Sequence, residues 1–482
     1  MINSKRVVNI LGLLIIIEGC FISICLPVAF FHGEGDLMAF FITTILVFTS
    51  GIGMWFFTRE SDKSLGKREG FIIVSLVWVI FSLFGCLPFW LSGSITSFTN
   101  AFFETMSGFT TTGASIIEDI ESLPKGLLFW RSLTQWMGGM GIIVLSLAVL
   151  PVLGIGGMQL FVAEVPGPTK EKLHPRVKET ARRLWGIYML FTGLEVIFLF
   201  FGGMNMFDAV CHSLTTMATG GYSTKQASIA HFESAYIEYV ISLFMFIAGT
   251  NFILSYFAMR LRFDKIWKNE EFRFYLGFVI FFIVIFSVGL FITERNTLEE
   301  SFRLASFQVI SIITTTGFVT ADYIVWFPFL SVLIFVLMFF GGSAGSTGGG
   351  VKIIRVLLIM KNSYLEFKRL IYPHAVIPVK LNNKPISLQL VSNVLAFVFI
   401  YILIIVISVV VISTLGYDMD TSFGAAAASL GNIGPGMGLV GPVENYSHFP
   451  VFGKWFLSFL MLLGRLELFT VIILFAPSFW RK

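Results

Sequence analysis

The chain alternates between long apolar runs and short polar connections. Ten runs are long enough to cross a bilayer core, which takes about 20 helical residues. They lie near residues 8–31, 38–57, 71–92, 128–150, 184–203, 239–259, 275–293, 327–360, 387–414 and 454–478. Because a segment that spans lipid must satisfy its own backbone groups, each run is expected to be a helix. The pattern predicts an all-α polytopic membrane protein with ten transmembrane helices.

The last eight predicted helices form four pairs, and each pair encloses a second, shorter apolar stretch. The four stretches read TNAFFETMSGFTTTGA, FDAVCHSLTTMATGGY, LEESFRLASFQVISIITTTGF and MDTSFGAAAASLGNIGPG. Each opens near Asn, Asp or Glu, closes in a glycine turn, and is too short to cross the membrane. We interpret them as four half-helices with re-entrant loops, that is, four pseudo-symmetric repeats. The predicted units are two N-terminal helices within 1–60 and pore repeats over 70–160, 180–262, 272–362 and 386–478.

The glycine turns align on one residue in each repeat. The aligned glycines are Gly113, Gly220, Gly317 and Gly434, and the residues before them are Thr112, Thr219, Thr316 and Ile433. Thr111, Ala218, Thr315 and Asn432 complete the four candidate triplets. A glycine downstream also recurs in each repeat, at Gly139, Gly249, Gly342 and Gly464.

Four such turns suit a site for a dehydrated cation. Non-helical backbone at membrane depth is tolerated only inside protein or beside water, and four loops meeting on one axis satisfy this condition. Glycine permits backbone angles that present carbonyl oxygens inward, and each half-helix adds about half a negative charge at its carboxyl end. Rings of carbonyls select monovalent cations. A single Thr-Gly turn would be an ordinary helix cap, but four aligned copies favour a selectivity filter with K⁺ at these residues.

Composition and charge agree with a membrane protein. The chain of 482 residues is 56% hydrophobic and 13% charged, where soluble domains have about a quarter charged residues. The net charge of +4 comes from basic residues in short connections between the helices. This charge is therefore not evidence for nucleic-acid binding. The basic connections are 58–69, 164–183, 260–273 and 361–384. The positive-inside rule places them, and both termini, in the cytoplasm.

An alternative function is that of a membrane enzyme or sensor whose polar turns bind a substrate. An enzyme would need converging acid–base or metal-binding residues. The six histidines show neither metal spacing nor a triad, and the four cysteines lie in or beside apolar runs without a CxxC pair. Ion conduction without enzyme activity is therefore favoured.

Two further features lie inside predicted helices. The glycine-rich segment 341–350 interrupts the eighth run and precedes Lys352, but it lacks the GK[ST] ending of a phosphate loop. It is either a flexible break or a functional one. Arg465 and Glu467 lie in the last apolar run. A charged side chain inside a membrane is energetically costly, so these two residues are candidates for a functional role. The alternative is that they belong to a structural ion pair. Arg465 follows Gly464, where the other repeats have Met140, Thr250 and Ser343, which places it near the predicted pore axis.

The chain resembles the TrkH/KtrB/HKT superfamily of potassium-uptake proteins over its whole length, and most of all the bacterial TrkH branch. The shared motifs are SGFTTTGAS (107–115), TMATGGYS (216–223), TTTGF (314–318), GNIGPGMG (431–438), GGSAGSTGGGVK (341–352) and GRLELFTV (464–471). The resemblance implies a pseudo-fourfold pore for K⁺ within one chain of the inner membrane, with no organic cofactor. It also implies a homodimer and a cytosolic nucleotide-binding regulatory subunit similar to TrkA.

The resemblance also assigns roles within the motifs. The glycine-rich segment becomes an intramembrane gate beneath the filter, with Arg465 beside it. The gate residues are Gly341, Gly342, Gly345, Gly348, Gly349, Gly350, Lys352 and Arg465. Glycine at position 113 favours potassium over sodium. Asn432 and Ile433 depart from the threonine pattern, so we expect a chemically unequal ring with looser ion discrimination.

Overall fold

The fold, taken from a computed structural model, is described for residues 2–59, 66–141, 177–294 and 296–481. Six helices in these ranges are long and apolar enough to span a membrane: Ser4–His32, Leu37–Thr58, Arg68–Leu91, Arg182–Phe201, Glu270–Thr293 and Leu388–Ser413. Two sharply bent helix pairs bring the number to as many as eight. The chain is therefore a helical membrane protein, as predicted. Part of the predicted span 128–150 and of the connections 58–69 and 164–183 lies outside these ranges, and the count of ten stays a prediction.

The two N-terminal helices, Ser4–His32 and Leu37–Thr58, pack closely against each other. A Cβ atom on Gly12 would lie 2.9 Å from the Gly51 carbonyl oxygen, so only glycine fits at this crossing. Small residues allow such close approach of helices in lipid. Asn9 adds a side-chain bond from Nδ2 to the Trp55 carbonyl (3.1 Å).

The four predicted repeats each contain an outer helix, a pore helix and an inner helix. The outer helices are Lys67–Gly85, Val177–Phe201, Glu270–Thr293 and Leu388–Ser413. The pore helices are Phe98–Phe109, Met206–Met217, Leu298–Ile313 and Met419–Gly431. The inner helices are Lys125–Trp136, Ala235–Ala248, Pro328–Leu337 and Val451–Arg465. The pore helices are the half-helices expected from sequence, because their 12 to 16 residues reach only about 18–24 Å.

Further helices, turns and short strands lie between and after these helices within the described ranges. The helices are Leu87–Leu91, Phe252–Met259, Phe263–Trp267, Ile353–Ile371, Phe469–Ile472 and Pro477–Trp480, with a π-helical turn at Met137–Gly141. Three 3-10 turns lie at Ser228–Phe232, Gly438–Val440 and Ile473–Phe475. Strand Phe340–Gly341 pairs in parallel with Val351–Lys352, and Lys380–Leu381 pairs antiparallel with Lys384–Pro385.

Polar caps start the pore helices where the sequence suggests. Asn205 accepts the Asp208 N–H at the second pore helix. Thr297 and Glu300 form a reciprocal capping box at the third. These bonds satisfy amides that a helix start leaves free, so each of these two pore helices begins at a position encoded locally.

Apolar runs predicted as single spans contain sharp breaks in the inner helices. The second inner helix turns by 109° before Phe252–Met259, and the fourth turns by 111° before Phe469–Phe475. Asn251 caps the new helix after the first break. Glu467 and Leu468 take positive φ angles of 55° and 54° at the second. Hydropathy does not register either turn, because the few polar residues at each break lie between long apolar stretches.

Candidate ion pathway

The four glycine turns share one backbone conformation. Each has a non-glycine residue with positive φ followed two positions later by a glycine with positive φ. The non-glycine residues are Thr111 (53°), Thr219 (54°), Thr315 (59°) and Asn432 (54°). The glycines are Gly113 (83°), Gly221 (75°), Gly317 (81°) and Gly434 (94°). Equivalent conformations show that the turns are structural repeats.

This pattern corrects the sequence alignment in the second repeat. Gly221, and not Gly220, is the counterpart of Gly113. The backbone bonds agree, since the N–H of the residue before each glycine donates to the carbonyl five residues earlier; these pairs are Thr112–Ser107, Gly220–Thr215, Thr316–Ser311 and Ile433–Ala428. The equivalent triplet is therefore Thr219, Gly220 and Gly221, in place of Ala218, Thr219 and Gly220. Two adjacent glycines hide this register in the sequence.

The four turns close into a ring. A Cβ atom on each positive-φ glycine would lie less than 3.0 Å from a carbonyl oxygen of the next repeat. The contacts run from Gly113 to Gly220, from Gly221 to Thr316, from Gly317 to Ile433 and from Gly434 to Thr112. Because the last contact returns to the first repeat, the four segments surround one axis.

A cavity opens onto this ring. It touches all four glycines of the corrected register, Gly113, Gly221, Gly317 and Gly434, but not Gly220. Arg131, Lys225, Glu444 and several backbone segments complete its lining. All four repeats therefore line one cavity, and its lining agrees with the corrected register.

Side chains behind the ring hold its backbone in place. Gln135, fully buried, donates from Nε2 to the Gly220 carbonyl (2.7 Å) and accepts the Tyr222 N–H at Oε1 (3.0 Å). Tyr446 donates its hydroxyl to the Gly434 carbonyl (2.8 Å), and burial raises the pKa of Tyr446, which keeps this donor protonated. Sequence reasoning missed both residues. A polar amide within an apolar run was the only signal for Gln135.

A buried ion pair lies between the first pore helix and the first inner helix. Arg131 Nε is 2.7 Å from Glu104 Oε1, and both side chains are nearly inaccessible. Arg131 also donates to the Ser223 carbonyl (2.9 Å), while Glu104 accepts the Ile116 N–H (2.9 Å). The pair therefore joins the segments that follow the first and second filter turns. Sequence reasoning missed this pair as well, although two charges within apolar runs are a usable signal.

We expect Glu104→Gln to destabilise the protein strongly. The substitution leaves the Arg131 charge buried and unpaired, a change that costs about 3–5 kcal/mol in other proteins. The control is Glu299→Gln, because Glu299 is 55% exposed in its pair with Arg303 and surface pairs contribute about 0–1 kcal/mol. Thermal unfolding in detergent, followed by size-exclusion fluorescence, compares the two. Equal midpoints for both variants would contradict the structural role of the pair.

The glycine-rich segment forms a loop on the inner side of the ring. Its ends are joined by the parallel strand pair Phe340–Gly341 and Val351–Lys352. Within it, the Gly349 N–H donates to Thr315 Oγ1 (2.6 Å), and Thr347 Oγ1 donates to the Met217 carbonyl (3.1 Å). The predicted gate residues between 341 and 352 all lie in this loop, and Lys352 Nζ donates to the Gly348 carbonyl. The loop therefore touches the inner ends of two filter turns.

Arg465 ties this loop to the first repeat. Its guanidinium donates to the carbonyls of Thr347 (2.7 Å), Gly139 (2.9 Å) and Gly138. These three acceptors belong to the loop of the third repeat and to the inner segment of the first. A single side chain of the fourth repeat therefore bridges two other repeats beneath the ring.

The structure also corrects the alignment around Arg465. The N-caps of the four inner helices are Pro124, Ser234, Phe327 and Pro450. The residues 15 positions after them are Gly139, Gly249, Gly342 and Arg465. Gly464 thus matches Gly138, and both face pore-helix carbonyls, Leu430 and Phe109 respectively. Comparison of Arg465 with Met140, Thr250 and Ser343 was wrong by one residue, because Gly464 was paired with Gly139 although it corresponds to Gly138. Arg465 replaces a glycine found in the other three repeats.

The other charged candidates have separate positions. Glu467 forms a buried ion pair with Arg355, whose guanidinium also lies 3.7 Å from the Phe397 ring centroid. The structural ion pair considered for the last span therefore joins Glu467 to Arg355. Glu195 is fully buried in the second outer helix. In the part of the chain that the structure describes, no group of three or more His, Cys, Asp or Glu residues is placed to hold a metal ion.

Comparison with known proteins identifies similar chains. The profile of the TrkH family, described as cation transport protein, matches residues 36–482. The Trk system potassium uptake protein TrkH of Escherichia coli K12 is 42% identical over 484 residues, which covers 100% of both chains. TrkG of the same strain, also a Trk system potassium uptake protein, is 37% identical over 458 residues and 94% of both chains.

A solved structure has the same fold. The crystal structure of the potassium transporter TrkH from Vibrio parahaemolyticus superposes with a TM-score of 0.89 at 37% identity, and the alignment covers 100% of both chains. The similarity therefore extends over the N-terminal helices, all four repeats and the glycine-rich loop.

Proposed function

The chain belongs to the TrkH family of cation transport proteins, and on this premise we propose that it conducts K⁺ through the ring of four turns. Its relatives are named as potassium uptake proteins, which are transporters and not enzymes. The closed sequence of contacts between neighbouring filter segments is the observation that carries the proposal. A ring of backbone carbonyls can replace the hydration shell of a monovalent cation.

The proposed filter uses the carbonyls before each positive-φ glycine. These belong to Thr112, Gly220, Thr316 and Ile433. The ring is chemically unequal, because the Gly220 carbonyl already accepts a hydrogen bond from Gln135 and Asn432 replaces a threonine. A carbonyl that is shared with a donor offers a weaker field to a cation. This asymmetry supports the expectation of selectivity for K⁺ that is looser than in a symmetric filter.

We further propose that the loop 341–350 is the gate in a closed position. The bonds from Gly349 and Thr347 keep the loop against the inner ends of two filter turns. Arg465 holds the loop from the opposite side. Opening then requires these bonds to break together, a change that a partner in the cytosol can drive through differential binding.

Shortening the loop tests this assignment. We expect deletion of residues 343–348 to raise basal K⁺ flux on the order of tenfold or more, since it removes the Thr347 carbonyl and with it a charge-assisted bond of about 1.5–3 kcal/mol. Flux from proteoliposomes measures the effect, with size-exclusion chromatography of the same preparation as the folding control. A monodisperse deletion variant that conducts no more than the parent would rule out the loop as a barrier.

The remaining proposals concern assembly and orientation. Because the relatives are named as parts of a Trk system, we propose that the chain works with a further subunit, namely a cytosolic nucleotide-binding one similar to TrkA. We also propose that the chain forms a homodimer. We propose the inner membrane as the location, with both termini in the cytoplasm. The basic connection 260–273 and the segment 361–384 support this orientation through the positive-inside rule.

Flux of K⁺ and of Na⁺ from proteoliposomes that contain only the purified chain tests the proposed function. We expect K⁺ to pass and Na⁺ to pass more slowly. The alternative, a membrane enzyme or sensor that uses the polar turns, predicts no flux of either ion above that of empty vesicles. If the closed gate keeps the flux of the parent protein low, the same measurement is made with the variant that lacks residues 343–348, in which the gate is expected to be open.

A further inference from the structure

We infer that the Thr315 hydroxyl couples the gate loop to the filter, so that loop closure and a cation at the inner end of the filter compete for one oxygen. This inference rests on the proposed function. Thr315 Oγ1 accepts the Gly349 N–H at 2.6 Å, and both residues are buried. Thr315 immediately precedes Thr316, whose carbonyl belongs to the ring. The contact therefore joins the loop directly to a filter segment.

The equivalent positions in the other repeats do not make this contact. The buried Thr111 hydroxyl has no hydrogen-bond partner among the described residues, and the Thr219 hydroxyl donates to the Ala218 carbonyl (2.6 Å). The fourth position is Asn432, whose Nδ2 donates to Thr112 Oγ1 (2.9 Å). Since the four positions share one backbone conformation, the difference at Thr315 arises from the loop and not from the turn.

The chemistry of this contact makes loop closure and cation binding at the Thr315 hydroxyl oppose each other. A hydroxyl oxygen has two lone pairs, and the Gly349 N–H occupies one of them with the positive end of an amide dipole. A cation drawn to the same oxygen would lie close to that positive end, which disfavours it in a site of low dielectric constant. By thermodynamic reciprocity, a cation bound there weakens loop closure by the same factor. Thr315 thus acts as a positioning residue that lets K⁺ favour opening of its own pathway.

Accessibility of the loop tests the coupling without measuring transport. Ser346→Cys places a thiol on the half-buried part of the loop, and its reaction rate with a charged methanethiosulfonate in detergent reports opening. In this background we expect the rate to rise with K⁺ and to stay flat in choline. Thr315→Val should raise the rate in choline about fivefold, because a net hydrogen bond of ordinary strength is lost, and should remove the K⁺ dependence.

Two matched variants separate this role from a general effect of losing a buried hydroxyl. Thr315→Ser keeps the acceptor, and its rate is expected to stay within about twofold of that of the Ser346→Cys background alone. Thr105→Val removes a buried hydroxyl of the first pore helix that bonds the Ala101 carbonyl (2.8 Å) and not the loop, and it should leave both the rate and its K⁺ dependence unchanged. A rate independent of K⁺ in the Ser346→Cys background overturns the inference even if Thr315→Val does not fold.

Equal acceleration by Thr105→Val and Thr315→Val also overturns the inference, since the loop contact would then be irrelevant. These outcomes do not depend on conduction. A chain that conducts K⁺ selectively yet shows no K⁺-dependent accessibility loses the coupling and keeps the proposed function. A chain that conducts neither K⁺ nor Na⁺ loses the proposed function whatever the thiol rates are.

Discussion

Arg465→Ala is expected to raise K⁺ flux of the purified chain by about thirtyfold. The guanidinium bonds the Thr347 carbonyl of the loop and the Gly138 and Gly139 carbonyls of the first repeat. A fixed positive charge about 8 Å from a permeating cation also opposes it by roughly 2 kcal/mol at an effective dielectric constant near 20. Alanine removes both the bridge and the charge. Flux and size-exclusion profile are measured on one preparation.

Arg465→Lys serves as the matched control. It keeps the charge but cannot reproduce the planar fork that reaches three carbonyls. If Arg465→Lys raises K⁺ flux about as much as Arg465→Ala does, the hydrogen bonds to the three carbonyls are the barrier to conduction. If only Arg465→Ala raises the flux, the positive charge is the barrier. A folded, monodisperse Arg465→Ala protein with unchanged or lower flux contradicts both. Misassembly through loss of a Glu467 partner is not expected, because Glu467 pairs with Arg355.

The second large effect is expected at the corrected glycine of the second repeat. Gly221→Ser should lower the K⁺-over-Na⁺ permeability ratio about tenfold, as should Gly113→Ser. Gly221 has φ of 75°, where an L-residue costs roughly 1–2 kcal/mol. Its Cβ would also collide with the Thr316 carbonyl, one of the proposed ion ligands. Reversal potentials under bi-ionic conditions give the ratio directly.

Gly203→Ser provides a control for backbone strain alone. Gly203 has φ of 95° in the same repeat, and a Cβ there would meet nothing within 4 Å. The control variant should be somewhat less stable yet equally selective. A normal permeability ratio for Gly221→Ser would show that the ring carbonyls do not set selectivity, and an altered ratio for Gly203→Ser would show that strain acts from a distance.

The sequence contains enough information for the repeats but not for their exact register. Pore helices follow from short apolar runs with polar caps such as Thr297, because these signals are local. Gly113 and Gly317 stand alone in their turns, so they could be assigned correctly. The second repeat offers Gly220 and Gly221 in succession, and only the backbone conformation shows which one carries the positive φ. Gly138 and Gly139 caused the same one-residue error opposite Arg465.

Contacts between distant segments could not be predicted. Gln135 bonds a carbonyl 85 positions away, and Arg465 bonds the loop 118 positions away. Pairings of this kind depend on the closed arrangement of four repeats, which no single segment specifies. The break in the last inner helix was hidden for a different reason: Glu467 and Leu468 adopt positive φ without being glycine. Such conformations persist only when the surrounding structure imposes them.

Anomalous diffraction from crystals grown with Rb⁺ in place of K⁺ tests the central claim most directly, because Rb⁺ is a larger ion of the same charge whose position diffraction can locate. The account predicts a peak on the axis of the ring, among the carbonyl oxygens of Thr112, Gly220, Thr316 and Ile433. The peak should weaken when K⁺ competes and persist when Na⁺ does. An empty ring, or Rb⁺ bound only elsewhere in the protein, would contradict the account.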